Sequence, residues 1–216
     1  MEKLLCPSMM CADFGCLDRE IQDLEDSGAD IFHLDLMDGI FVPNYGMGLQ
    51  DIEYIVKCAS IPCDIHMMVT NPDRYVERFA AMGVSIIYIH PEADLHAPRT
   101  LQKVIDAKAH PGIAINPGTS FSTIEPLLNL AEYVLVMTVN PGFASQSYIP
   151  FVEHKIDKLL QYQSDYNYKI LIDGACSLEV IGRLSAKGVN GFILGTKSLF
   201  DASHNYSNIM RTLKAL

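Results

Sequence analysis

A histidine and an aspartate two residues apart inside an apolar run are the first side chains here that could do chemistry. They are His33 and Asp35, in DIFHLDLMDGIFVPNY between Asp30 and Tyr45, with Ile31, Leu34 and Leu36 as the apolar background. On a strand the side-chain period is two, so both point to one face. Burying an imidazole and a carboxylate together is costly unless each is partnered. A metal ion is one such partner; a hydrogen-bonded core pair is the other.

The rest of the chain supplies the elements that position them. Apolar, largely non-alternating runs recur at residues 4–8, 31–37, 62–69, 85–90, 112–116, 133–139, 168–173 and 189–195. Helical stretches follow at 17–27 (stopped by Gly28), 49–59, after Asn71-Pro72, at 97–108, 122–130 and 150–163, from Ser177, and at 205–214. Non-alternating strands, each followed by a helix, describe a parallel sheet covered on its outer face. Eight such units close naturally into a (β/α)8 barrel, an α/β fold, here one domain over 1–216. An open doubly wound sheet needs no such even count of eight.

Active sites of these barrels gather where the strands' C-terminal ends meet. Those ends carry Ser8; His33, Asp35, Met37 and Asp38; His66 and Met68; His90; Asn116; Met137 and Thr138; Asp173 and Gly174; Gly195 and Thr196. Two His and two Asp from strands two, three and seven thus converge on one rim. Such mixed nitrogen and oxygen donors suit Zn²⁺, Mn²⁺, Fe²⁺ or Co²⁺ alike. Asp64 reads equally as a ligand, or as a group behind one or a structural group, and His90 as a satisfied core histidine. Met37, Met68 and Met137, among ten methionines, read either as core filling or as a polarizable, water-poor lining.

Three further segments look like a phosphate cradle: Asn140 to Ser145 after strand six, Asp173 to Ala175 after strand seven, and Gly195-Thr196 after strand eight. Glycines there let backbone N–H groups approach an anion, and the following helix N-termini add a favourable field. No Lys or Arg is expected at these strand ends. Ala144, Ser145 and Ala175 are expected to discourage positive φ. The loop from Pro141 to Ile149 reads as a lid.

Composition narrows the partners. A net charge of 16 − 26 = −10 with no basic run argues against nucleic-acid binding. No stretch nears the ~18 apolar residues of a membrane span, and no leader is apparent. A cytoplasmic chain is the expectation, and its six cysteines lack any CxxC pair, which fits reduced thiols.

Taken as a set, His33-Leu-Asp35-Leu-Met-Asp38-Gly39 with Phe41-Val-Pro-Asn44, Asp64-Ile-His66-Met-Met68, Met137-Thr-Val-Asn-Pro-Gly-Phe143 and Ile172-Asp173-Gly174 resemble the ribulose-phosphate 3-epimerase family. The resemblance runs nearly end to end. It implies a (β/α)8 barrel that inverts carbon 3 of a ketose phosphate. It implies that His33, Asp35, His66 and Asp173 hold one divalent metal ion, with Asp35 and Asp173 as acid/base groups on opposite substrate faces. It further implies a substrate lined by Ser8, His66, Met37, Met68, Met137, Gly142, Phe143, Ala144, Ser145, Gly174, Ala175, Gly195 and Thr196. A homo-oligomer acting on a small sugar phosphate is expected.

The cradle departs from the common family pattern. Gly142-Phe-Ala-Ser145 stands for Gly-Phe-Gly-Gly, and Asp173-Gly-Ala175-Cys176 for Asp-Gly-Gly. Met10-Cys11, Ala144, the Asp173-Gly-x-Cys176 spacing and Gly195-Thr196 resemble allulose-6-phosphate 3-epimerases, while Asn116-Pro-Gly-Thr119 and otherwise the loop Val139 to Gln146 look like the pentose enzymes. D-Ribulose 5-phosphate is the expected substrate, with D-allulose 6-phosphate the alternative. A decarboxylase of the related Asp-x-Lys-x-x-Asp type lacks its lysine in Asp35-Leu-Met-Asp38, and a Schiff-base aldolase lacks a strand-end lysine. A barrel that only binds sugar phosphate has little use for two opposed carboxylates.

Overall fold

A computed structural model describes residues 3–200 and 205–216. Eight strands form one parallel sheet: β1 (Leu4–Pro7), β2 (Phe32–Met37), β3 (Cys63–Met68), β4 (Ile86–Ile89), β5 (His110–Ile115), β6 (Tyr133–Met137), β7 (Lys169–Asp173) and β8 (Gly191–Leu194). Neighbours run in the order β1-β8-β7-β6-β5-β4-β3-β2. The seam between β1 and β2 is joined by the Asp30 N–H donating to Leu5 O at 3.0 Å and by a parallel bridge between Ser8 and His33. The sheet is therefore a nearly closed (β/α)8 barrel.

The outer layer is α1 (Leu17–Asp26), α2 (Leu49–Cys58), α3 (Val76–Met82), α4 (Ala97–Asp106), α5 (Phe121–Ile124), α6 (Glu153–Tyr166), α7 (Leu178–Lys187) and α8 (Tyr206–Ala215). Their apolar stripes and the outward strand residues make the main core, in which Leu24, Ile52, Phe79, Leu101, Ile156 and Leu184 are fully buried. A second cluster fills the barrel interior: Cys6, Ile31, Ile86, Tyr88, Ala114, Leu135, Leu171 and Ile193. Tyr88 fits there because β5 offers Gly112 beside it, where a Cβ would come 2.3 Å from the ring. This packed plug forms the bottom of the barrel and leaves chemistry to the other end.

Three expected helices begin differently. Asn71-Pro72 opens a 3₁₀ turn over Pro72–Arg74, with α3 starting only at Val76. Asn71 caps nothing with its side chain and instead adopts a left-handed φ of 50°. The stretch 122–130 is one α-helical turn, α5, followed by a 3₁₀ turn Glu125–Leu127, since Pro126 cannot sit inside a continuing helix. Pro150 likewise heads a 3₁₀ turn that precedes α6. All six cysteines are free thiols, with Cys16 and Cys58 exposed. Among the described residues no helix is long and apolar enough to cross a membrane.

Candidate active site

The register of β2 against β3 assembles the centre. His33 pairs with Asp64 and Asp35 with His66, and in a parallel ladder such partners face the same side of the sheet. Asp173 arrives from the end of β7, where its carbonyl accepts from the Thr138 N–H at 2.7 Å. His33, Asp35, His66 and Asp173 each offer a ligand atom, and all four lie within 4.8 Å of one another. His33 Nε2 is 3.4 Å from Asp35 Oδ1, His66 Nδ1 is 3.4 Å from the same oxygen, and His66 Nδ1 is 3.7 Å from Asp173 Oδ2. Ligands ~2.1 Å from a tetrahedral ion stand about 3.4 Å apart, so the spacing suits one ion.

The donors are also aimed for that purpose. His33 Nε2 and His66 Nδ1 are buried and have no hydrogen-bond partner, an arrangement that costs free energy unless something fills the space between them. The far nitrogen of each ring is engaged. His33 Nδ1 lies 2.5 Å from Asp64 Oδ1, and His66 Nε2 lies 2.8 Å from His90 Nε2. Asp35 keeps Oδ1 toward the centre, while Oδ2 accepts from the Ser8 hydroxyl at 2.7 Å. The four residues thus fit a divalent cation. Asp64 stands behind His33, and His90 is a buried histidine whose Nε2 meets His66.

The two candidate acid/base carboxylates sit in opposite electrostatic settings. Burial acts to raise Asp35, but the His33 and His66 imidazoles facing it overcome this and hold the carboxyl well below the usual range. Asp173 is pushed up to about 6, chiefly by burial, with the Asp35 and Asp64 carboxylates adding and the two imidazoles opposing.

Above them opens a cleft lined by Ser8, Asp35, Met37, Met68, Met137, Asp173 and the three loop segments Gly142–Ser145, Gly174–Ala175 and Gly195–Thr196. His33 and His66 lie beneath its floor and are wholly buried. Met37, Val42 and Met68 pack as a small apolar cluster beside the centre. Asp38 turns away and caps the Ile40 and Phe41 N–H groups and Thr70.

The cleft also includes Cys11, Val139, Asn140 and Gln146, together with Lys197, which strand-end reading did not single out. Lys197 corrects the expectation that no cation stands there. It follows Gly195-Thr196 directly, and widening the strand-end window by one residue would have found it. The cradle backbone corrects a second expectation. Gly142 and Gly174 both have φ of 110°, but Ser145 at 63° and Ala175 at 49° are left-handed as well. The loop contacts hold them there: Ser145 Oγ lies 3.1 Å from Thr196 Oγ1, and the Ala175 carbonyl accepts from Ser177 N–H at 2.8 Å. A Cβ on Gly174 would come 2.5 Å from Val139, so that turn tolerates no side chain.

Comparison with known proteins places this geometry. A profile described as the Ribulose-phosphate 3 epimerase family matches residues 4–200. Ribulose-phosphate 3-epimerase of Aquifex aeolicus is 41% identical over 189 residues, covering 87% of this chain and 82% of the relative. The enzyme of that name from Bacillus subtilis is 36% identical over 195 residues, covering 89% and 90%. That from Escherichia coli K12 is 35% identical over 204 residues, covering 92% and 89%. Among solved structures, KGPDC from Streptococcus mutans aligns with a TM-score of 0.71 at 11% identity over 100% of this chain and 97% of that one. Phosphoribosyl anthranilate isomerase from Thermus thermophilus aligns with a TM-score of 0.65 at 12% identity, covering 98% and 96%. At such identities the structural likeness is one of fold.

Proposed function

The chain belongs to the ribulose-phosphate 3-epimerase family of isomerases, and on that premise we propose that it interconverts D-ribulose 5-phosphate and D-xylulose 5-phosphate. The observation that carries the reading is the pair Asp35 and Asp173. They share one donor set and come from strands on different sides of the barrel mouth. Inverting a carbon next to a carbonyl means taking a proton from one face and returning one to the other. Two carboxylates on opposite faces do this without turning the substrate over.

The hydrogen bond from the Ser8 hydroxyl orients the Asp35 carboxylate, which accepts the C3 proton. Asp173, across the barrel mouth from Asp35, delivers a proton to the other face of the enediolate. The two run in the opposite sense for the other epimer. His33, Asp35, His66 and Asp173 would hold a divalent ion, which would supply Lewis-acid stabilisation of negative charge on the substrate. The methionine-lined floor keeps water from the reacting carbon.

Backbone N–H groups of residues 142–145, 174–175 and 195–196 take the phosphate, with Lys197 adding charge at the rim. Ser145 and Ala175 place side chains where smaller residues leave room, which favours the shorter pentulose. Cys11, Ala144 and Cys176 on the cleft wall support the alternative, D-allulose 6-phosphate. The test is kcat/KM for both ketose phosphates under one metal condition. Preference for ribulose 5-phosphate is expected. A tenfold preference for the hexulose, about 1.4 kcal/mol, overturns the substrate while leaving the epimerase.

A further inference from the structure

The two ligand histidines are backed in different ways. His33 meets a carboxylate directly through Asp64, whereas His66 meets a second imidazole, 2.8 Å away at His90 Nε2. An imidazole nitrogen that binds a cation must present a lone pair, so the other nitrogen of a neutral ring carries the proton. With His66 Nδ1 facing Asp35 and Asp173, His66 Nε2–H is the donor and His90 Nε2 the acceptor. The His90 proton is then confined to Nδ1, which faces Glu92 Oε2 at 3.4 Å, an electrostatic contact rather than a close hydrogen bond.

Glu92 is itself fixed. Its Oε1 accepts from the Asn116 N–H at 2.9 Å and from the Thr119 hydroxyl. From the other side of that loop, Lys155 Nζ on α6 donates to the carbonyls of Asn116 at 2.6 Å and Pro117 at 3.1 Å. His90 is wholly buried, and the Phe41 ring covers it at a centroid distance of 4.7 Å.

From this we infer that His90 and Glu92 are positioning residues. They fix His66 in the tautomer and orientation whose Nδ1 binds the cation, with Lys155 and the loop 116–119 as their support. The inference rests on the proposed metal site. It explains why an imidazole intervenes. Asp35, Asp64 and Asp173 already place three carboxylates around the centre, and a fourth against His66 would add like-charge repulsion in a buried site. An imidazole relays the acceptor role with no net charge and leaves Glu92 farther out, where backbone and hydroxyl donors satisfy it.

The test is a titration of metal-free full-length chain with Co²⁺ alone, followed by visible absorption, for wild type, His90→Gln, His90→Asn and Glu92→Gln. A glutamine amide reaches the place of Nε2, whereas an asparagine amide stops at the place of Nδ1. The inference expects His90→Asn to bind Co²⁺ about 10- to 100-fold more weakly. His90→Gln should remain closer to wild type, and Glu92→Gln should fall between wild type and His90→Asn. A role limited to packing would lower the melting temperature of both His90 variants and leave Co²⁺ affinity unchanged. Equal affinity of His90→Asn and His90→Gln overturns the inference. If His90→Asn does not fold, Glu92→Gln decides, and wild-type affinity in that variant overturns it. Failure of the wild-type chain to take up Co²⁺ is a separate result, which defeats the metal reading itself.

Discussion

The proposed metal end and the proposed phosphate end of the cleft are built on opposite physical plans. At the metal end every donor stands on a strand or directly at its end. The donors are held by other polar groups: Asp64 behind His33, His90 behind His66, Ser8 on Asp35. At the phosphate end the groups are backbone amides on loops, shaped by left-handed residues and mostly exposed around Phe143, Ala144 and Ser145. The first plan fixes atoms to within fractions of an ångström, as charge stabilisation needs. The second leaves room for a loop to adjust to the length of its substrate. Changes at the metal end should therefore abolish chemistry, and changes at the phosphate end should alter binding and selectivity.

The largest expected effect is that of metal removal. Exhaustively chelated chain, checked for residual metal, should lose turnover, and adding back a divalent ion should restore it. Full activity without metal would erase the distinction between the two ends.

Next comes the charge scaffold behind the metal end. Burial acts to raise Glu92, but the His90 imidazole facing it, with the Thr119 hydroxyl and the Asn116 N–H, brings its carboxyl down to about 2. A folded-state value below the unfolded one contributes stability above about pH 4.5 that is lost as pH falls through that range toward 2. Urea unfolding of Glu92→Gln should show a flatter stability curve between those pH values, by on the order of 2 kcal/mol. A slope equal to wild type would mean that Glu92 is not bound into the scaffold.

Changes in the cradle should do less. Left-handed Ser145 and Ala175 are strained by roughly 1–2 kcal/mol each. Glycine relieves this but releases roughly 0.5–1 kcal/mol of extra unfolded-state entropy. Ser145→Gly and Ala175→Gly should each be between neutral and about 1 kcal/mol more stable. KM should shift for ribulose 5-phosphate and activity on allulose 6-phosphate should rise, with kcat preserved. A large loss of kcat in either variant would place the cradle with the metal end. The smallest signal is hydrogen exchange in residues 141–149, which should slow when a substrate analogue binds; unchanged protection contradicts a closing lid.

The same contrast decides what could be read from the chain alone. Strand periodicity carries His33 and Asp35 to one face, and the eightfold alternation carries His66 and Asp173 to the same rim. Both follow from local pattern and were legible. The pairing of His66 with His90 depends on how β3 and β4 meet and on rotamers, neither of which a single strand encodes. Positive φ at Ser145 and Ala175 runs against the preference of those residue types and is imposed by the loop's own contacts. Pro126 did mark the break in the stretch 122–130, but the apolar periodicity across it hid that signal. Lys197 lay one residue past a window drawn at the strand end.

The central claim, that Asp35 and Asp173 serve opposite faces of the substrate, is tested most directly by solvent deuterium exchange at carbon 3. Asp35→Asn and Asp173→Asn should each abolish epimerisation, lowering kcat/KM by about 10²–10⁴-fold or more. At least one of them should still exchange the C3 proton, and of one epimer only, the epimer differing between the variants if both exchange. Exchange of both epimers by a single variant would contradict the two-carboxylate account.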